Sequence, residues 1–267
     1  MIRHPAVAGQ FYPGNPKTLA DQLSGFIEDA VKKKRAIGVM SPHAGYIYSG
    51  KVAGMVFSRI HIPQTAVIIG PNHRGAGADY AIVTAGEWAT PFGNVLIDTA
   101  LAQAILKNCR YVKEDLEAHR YEHSLEVQVP FLQYLRKDVN IVPLCIGAYD
   151  VAAFDCIGKC IARSIRETKA DALIVASSDM SHYEPAAVAK KKDDQAIQAI
   201  LRLDEKKMLE LVGRLNISMC GYAPAAIMLA AAKELGAEKG ELVAYMNSGD
   251  TTGDYSEVVG YAGVMIS

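Results

Sequence analysis

Short apolar or β-branched runs recur along the chain: "AIGVM" at 36–40, "TAVIIG" at 65–70, "YAIVTA" at 80–85, "NVLI" at 94–97, "VNIVPLCIG" at 139–147, "ALIVASS" at 172–178, "ELVAYM" at 241–246 and "VVGYAGVMI" at 258–266. Runs of this length and make-up predict strands. Between most of them the apolar positions repeat at three- and four-residue spacing, which predicts helices over 50–59, 98–107, 124–136, 151–168, 186–202, 204–213 and 222–235. Near the start, Asn15 reads as a cap, Pro16 as a first-turn residue, and "KTLADQLSGFIEDAVKKK" as the helix they open. Strands apolar on both faces and alternating with helices predict an α/β fold, a mainly parallel central sheet with helices on both faces. No repeat and no Gly/Ser/Pro-rich linker interrupts residues 1–267, so a single domain is expected.

Composition narrows the classes. Half the residues are apolar, 21% are charged and the formal net charge is −1, the balance of an ordinary globular protein. The basic runs carry no nucleic-acid signal: "VKKKR" at 31–35 closes the apparent first helix, and "KKKDD" at 190–194 brings its own acids. The polar, proline-containing N-terminus lacks the apolar core of a secretory signal, and no apolar run approaches the roughly 18 residues of a membrane span. Five dispersed cysteines do not form a disulfide framework, so a cytoplasmic, membrane-free protein is expected.

In open α/β sheets, ligands bind beyond the carboxyl ends of the strands. Three strands here end alike. "AIGVM" leads into Ser41-Pro42-His43, "TAVIIG" into Pro71-Asn72-His73, and "ALIVASS" into Asp179-Met180-Ser181-His182. Parallel strands would bring these imidazoles to one edge, whereas His4, His61 and His119 follow no such strand and read as surface residues.

Neutral imidazole is the commonest metal ligand, so a metal is the natural partner for such an edge. A further ligand is offered by Cys220 in "ISMCGYAP", just before a predicted helix. Cys109, Cys145, Cys156 and Cys160 read as small buried hydrophobes, although Cys156 and Cys160 share a helix face. "RYEHSLEVQVPFLQYL" adds Glu122 and Glu126 at i and i+4 with His123 at the helix start, and Asn247 and Asp250 follow a late strand. Both groups are candidate pocket residues.

Taken together, "HPAVAGQFYP", "SPHAGYIYSG", "GPNHRG", "EHSLEVQVPFLQ", "SSDMSHY", "CGYAP" and "NSGDTTGD" resemble the signature segments of the Memo family, also called AmmeMemoRadiSam system protein B. The resemblance spans nearly the whole chain. It implies a fold similar to the LigB-type class III extradiol dioxygenases, with His43, His73 and Cys220 as metal ligands and Asp179 and His182 lining the same pocket. In those dioxygenases the third ligand is a glutamate; a cysteine here suits iron(II) or copper, and also zinc.

Three functional readings therefore stand. The first is a redox enzyme in which His182, oriented by Asp179, moves a proton. The second is a metal-binding scaffold that docks a small molecule or peptide. The third is a hydrolase that uses Cys220 as nucleophile or depends on zinc. The resemblance also implies radical-SAM and AMMECR-type protein partners.

Overall fold

Val39, Val67, Ile68, Val142, Ile174 and Val175 are all fully buried, which follows from strands covered on both faces. The computed structural model describes residues 1–267. Its strands are β1 Ile2–Arg3, β2 Gly38–Ser41, β3 Thr65–Pro71, β4 Tyr80–Ile82, β5 Glu87–Thr90, β6 Gly93–Leu96, β7 Lys113–Glu114, β8 Asn140–Ile146, β9 Ala172–Ser177, β10 His182–Glu184, β11 Gly240–Asn247 and β12 Val258–Ile266. A central sheet runs in the order β10-β12-β2-β9-β3-β8-β4-β7, with β11 also paired to β12, and β1, β5 and β6 form a small second sheet.

The fold is α/β, as the alternation of patterns predicts. The four central strands β2, β9, β3 and β8 are mutually parallel, while β12 against β2, β11 against β12 and β4 against β8 are antiparallel. The parallel character thus lies mainly in the middle, with one further parallel pair, β4 and the two-residue β7, at the edge. Residues 248–257, which include the short helix Gly249–Thr252, join β11 to β12, and a connection of that length reverses the chain, whereas parallel neighbours need a longer crossover. Of the run "NVLI", residues 94–96 pair with the strand Glu87–Thr90 in the small sheet, and Ile97 makes an isolated parallel bridge to Ile141 of β8.

Helices cover both faces. Gly38 of β2 abuts Met228 of the helix Tyr222–Glu234, while Gly263 of β12 abuts Val52 and Val56 of the helix Tyr46–Ser58. In the β12–β2 register Gly38 pairs with Ile266 and Met40 with Val264, so Gly263 points to the opposite face from Gly38. The helices Thr99–Asn108, Val151–Thr168, Ala186–Leu201 and Glu205–Arg214 lie within a residue or two of their predicted ranges. None of the helices is long and apolar enough to cross a membrane.

Three expectations are corrected. The first helix is Pro16–Ser24 and does not extend to residue 34. Gly25 closes it with bonds to Gln22 and Leu23 carbonyls, and Phe26 turns in against Gly54, where a Cβ would lie 2.4 Å from the Phe26 carbonyl oxygen. The helix expected over 124–136 divides into a 3-10 turn, Glu126–Gln128, and a helix, Val129–Leu135. Pro130 has no amide to donate back to Glu126, which forces the break. His119 is buried, with Nδ1 2.9 Å from the Asp115 carbonyl oxygen, because its short helix Glu117–Arg120 packs inward.

Candidate metal centre

Strands β2, β9 and β3 are neighbours in that order, and each is followed two residues later by a candidate side chain: His43, Asp179 and His73 respectively. His123 reaches the same edge from the loop before the 3-10 turn, and Cys220 from the turn before Tyr222–Glu234. One ring nitrogen from each of His43, His73 and His123 lies within 4.8 Å of the others. The Cys220 Sγ is 3.2 Å from His43 Nε2, and Asp179 Oδ2 is 4.0 Å from the same nitrogen. With Glu122, whose Oε1 is 2.9 Å from His73 Nδ1, six of the sequence candidates meet.

The hydrogen bonds around the rings fix their tautomers. The Ser177 hydroxyl donates its one proton to the Ser124 carbonyl oxygen at 2.6 Å. Toward His43 Nδ1, 2.9 Å away, it can then only accept, so Nδ1 carries the proton and Nε2 keeps its lone pair. Gln128 Nε2 donates to the same hydroxyl at 2.9 Å and to the Pro42 carbonyl oxygen at 2.9 Å, holding the loop that carries His43.

Glu122 does the equivalent for the other two rings. Its Oε1 lies 2.9 Å from His73 Nδ1 and 3.3 Å from His123 Nδ1, and it also accepts from the Ser124 amide at 2.8 Å. The nitrogen left free on His73 is Nε2, the usual arrangement of a metal-ligating histidine backed by a carboxylate.

Charge follows from this packing. Burial, reinforced by the charge of His73, holds the His43 pKa down at about 3, and burial with the charge of His43 holds His123 at about 4. Burial pushes the Glu122 carboxyl upward, but hydrogen bonds and charge from His73, the Ser124 amide and His123 outweigh it and lower the group to about 2. At neutral pH His43 and His123 are therefore neutral imidazoles beside a fixed carboxylate, a state in which a cation is bound without first expelling a proton from those two rings.

Burial, then the neighbouring Asp179 charge, push the Cys220 thiol well above the usual range. The Asp179 amide donates to its Sγ at 3.2 Å, so the sulfur is already held by a backbone donor. Gly221 permits this approach: a Cβ there would lie 2.3 Å from the Ser177 carbonyl oxygen.

Other candidates are placed differently from expectation. The His182 ring is oriented by Ser218, whose carbonyl oxygen is 2.9 Å from Nδ1 and whose hydroxyl accepts from the His182 amide at 2.7 Å; Asp179 instead accepts from the His43 amide at 2.8 Å. Asn247 and Asp250 bond within their own turn, the Asn247 amide to Asp250 Oδ2 at 2.9 Å. Thr251 ties that turn to the Ile47 carbonyl oxygen. Glu126, paired by spacing with Glu122, serves the N-terminal segment, accepting from the amides of Ala6 and Val7, from Tyr12 and from Arg3. That anchoring seats Phe11 edge-on against His123.

Ser177, Gln128 and Ser218 act through other residues, and sequence reasoning did not single them out. The pair Ser177-Ser178 at a strand end was visible, but its task is set by Ser124, which arrives from a distant segment.

A Memo-like protein family model matches residues 3–265. A MEMO1 family protein of Aquifex aeolicus is 47% identical over 268 residues, covering 99% of this chain and 98% of its own. One from Archaeoglobus fulgidus is 46% identical over 264 residues, covering 99% of each chain. One from Methanopyrus kandleri is 42% identical over 279 residues, again covering 99% of each. Among solved structures, an uncharacterized protein of Escherichia coli K12 matches with a TM-score of 0.57 at 17% identity, over 87% of this chain and 100% of that one, a likeness of fold alone. The chain belongs to the Memo family.

Proposed function

We propose that this Memo-family member is a metal-dependent oxidoreductase whose ion, iron(II) or copper, is held by His43, His73 and Cys220, with His123 beside them. The observation that carries this reading is the pair of fixed acceptors, Ser177 and Glu122, that take the Nδ1 protons of His43 and His73 and leave their Nε2 lone pairs for a cation. Neutral nitrogens with one thiol form a mixed donor set that suits a borderline or soft ion. When bound, the ion supplies Lewis acidity and one-electron chemistry to a small molecule at this edge.

The chain's own residues complete the site. His182 gives its Nδ1 proton to the Ser218 carbonyl oxygen, so Nε2 is free to take a proton from a substrate. Asp179 fixes the His43 backbone through its Oδ1. A cysteine stands where the LigB-type dioxygenases have a glutamate, so ring cleavage is not carried over from them. The cysteine-nucleophile reading is less well supported, since burial and Asp179 favour the thiol over the thiolate.

Metal analysis of anaerobically purified protein tests this. Near-stoichiometric iron or copper that falls sharply in His43→Ala and in Cys220→Ser is the expected result. Metal content indifferent to both substitutions overturns the proposal, and stoichiometric zinc with oxygen-independent hydrolysis replaces it with the hydrolase reading.

A further inference from the structure

A second cluster of soft donors lies outside the histidine centre. Cys156 and Cys160 sit four residues apart on the helix Val151–Thr168, and Cys109 caps the C-terminus of the helix Thr99–Asn108. The two helices pack together, and the three sulfurs all lie within 4.8 Å of one another, with Cys156 and Cys160 4.0 Å apart. All five cysteines of the chain are free thiols.

Three sulfurs bound to one ion at about 2.3 Å are separated by about 3.8 Å around a tetrahedron and about 4.0 Å in a trigonal plane. The Cys156–Cys160 separation already has the trigonal value, and the Cys109 sulfur lies within 4.8 Å of both. Disulfide formation needs sulfurs about 2.05 Å apart and a restricted Cβ geometry, which asks more of two residues on one helix face. The donors stand on rigid helices, so the site is preorganised.

Access and charge also fit. Cys109 and Cys160 are buried, whereas Cys156 is only partly so and gives an ion a route in. Arg110, next to Cys109 and exposed, lies within electrostatic reach of the Cys109 and Cys156 sulfurs, offsetting the negative charge that three thiolates would bring. Burial raises the Cys160 thiol, and its Sγ donates to the Asn108 carbonyl oxygen at 3.1 Å. Without a metal the Cys160 thiol is therefore protonated and a poor nucleophile.

We propose that Cys109, Cys156 and Cys160 form a three-sulfur binding site for a soft, thiophilic cation, Cu(I) foremost, separate from the histidine centre. Each metal–sulfur bond forms as its thiol releases a proton to solvent, with no change of oxidation state. A set composed only of thiolates selects soft ions over the harder ones that imidazole and carboxylate accept.

Cadmium(II), a soft ion whose sulfur bonds absorb in the ultraviolet, is the probe. The titration is done anaerobically in a phosphine reductant on full-length Cys220→Ser protein, so that no sulfur remains at the histidine centre. One equivalent of sulfur-to-cadmium absorption is expected, retained in an added Cys145→Ser and lost in an added Cys156→Ser, the least buried of the three positions, whose replacement disturbs packing least. Absence of that absorption, or its survival in Cys156→Ser, overturns the proposal. So does a Cys156–Cys160 disulfide that forms on removing reductant and persists without cadmium uptake. None of these outcomes depends on whether His43 and His73 hold a metal.

Discussion

Glu122 Oε1 lies 2.9 Å from His73 Nδ1 while the other carboxylate oxygen accepts from the His73 amide at 2.6 Å, so one buried side chain fixes both the ring and the backbone of that residue. Glu122→Gln keeps an acceptor but removes the charge that favours a cation. Metal affinity is expected to fall roughly 10–100-fold, read by competition with a chelator, with little change in fold. Unchanged affinity would mean that the carboxylate serves only the loop.

Ser177→Ala deletes an acceptor for His43 Nδ1 and Gln128 Nε2 and leaves the Ser124 carbonyl oxygen without that donor. Stranding such buried groups costs about 1–3 kcal/mol, so the thermal midpoint should drop by several degrees. Ser177→Thr restores the hydroxyl and should recover metal affinity if its methyl is accommodated. Equal loss in both variants would point to packing and not to the tautomer of His43.

Asp179 raises the Cys220 thiol by its charge. Asp179→Asn should therefore lower that thiol's pKa in metal-free protein. The check is the pH dependence of Cys220 alkylation, which is expected to shift to lower pH with an increased rate near neutrality. A profile identical to the parent's would show that burial alone sets the thiol.

His43, His119 and His123 are held at about 3, about 4 and about 4 in the folded chain, by burial first in each case. In the unfolded chain a histidine titrates near about 6.5, so the unfolded state takes up more protons as pH falls below that value. Stability of the metal-free protein is complete above about pH 6.5 and should decline as pH falls toward about 4, by about 1.4 kcal/mol per pH unit for each such histidine. Urea unfolding at pH 7.5, 5.5 and 4.5 measures this. His119→Gln, away from the metal centre, should flatten the slope by roughly a third; a slope that it leaves unchanged would contradict the assignment.

The fold was legible because its signals are local. β3, β8, β9 and β12 announce themselves as apolar runs, and Val151–Thr168 matches its periodicity at both ends. Short pieces were not legible: Lys113–Glu114 and His182–Glu184 have too few residues to show a period and owe their pairing to a neighbour strand. Nor did periodicity show where the first helix stops, since Phe26 leaves it to fill the space above Gly54.

The site divides along the same line. His43, His73 and Asp179 could be picked out because position just past a strand is a property of one segment. Which residue supports which could not, even where the partner, as with Glu122, is itself a pocket candidate in the sequence. Glu122 clamps His73 across 49 positions of sequence, Cys109 joins Cys160 only because two helices pack, and Ser218 displaces Asp179 as the support of His182.

By itself, then, the sequence determined the alternation of strand and helix, the family, and the residue types at the strand ends, because burial and backbone preference act over a few neighbours. The tertiary structure decided the strand order β2-β9-β3 that sets His43, Asp179 and His73 side by side, the protonated nitrogen of each backed ring, and the gathering of three thiols. Those depend on distances between segments remote along the chain, and hydrogen bonds and metal–ligand bonds act only over a few ångströms of space.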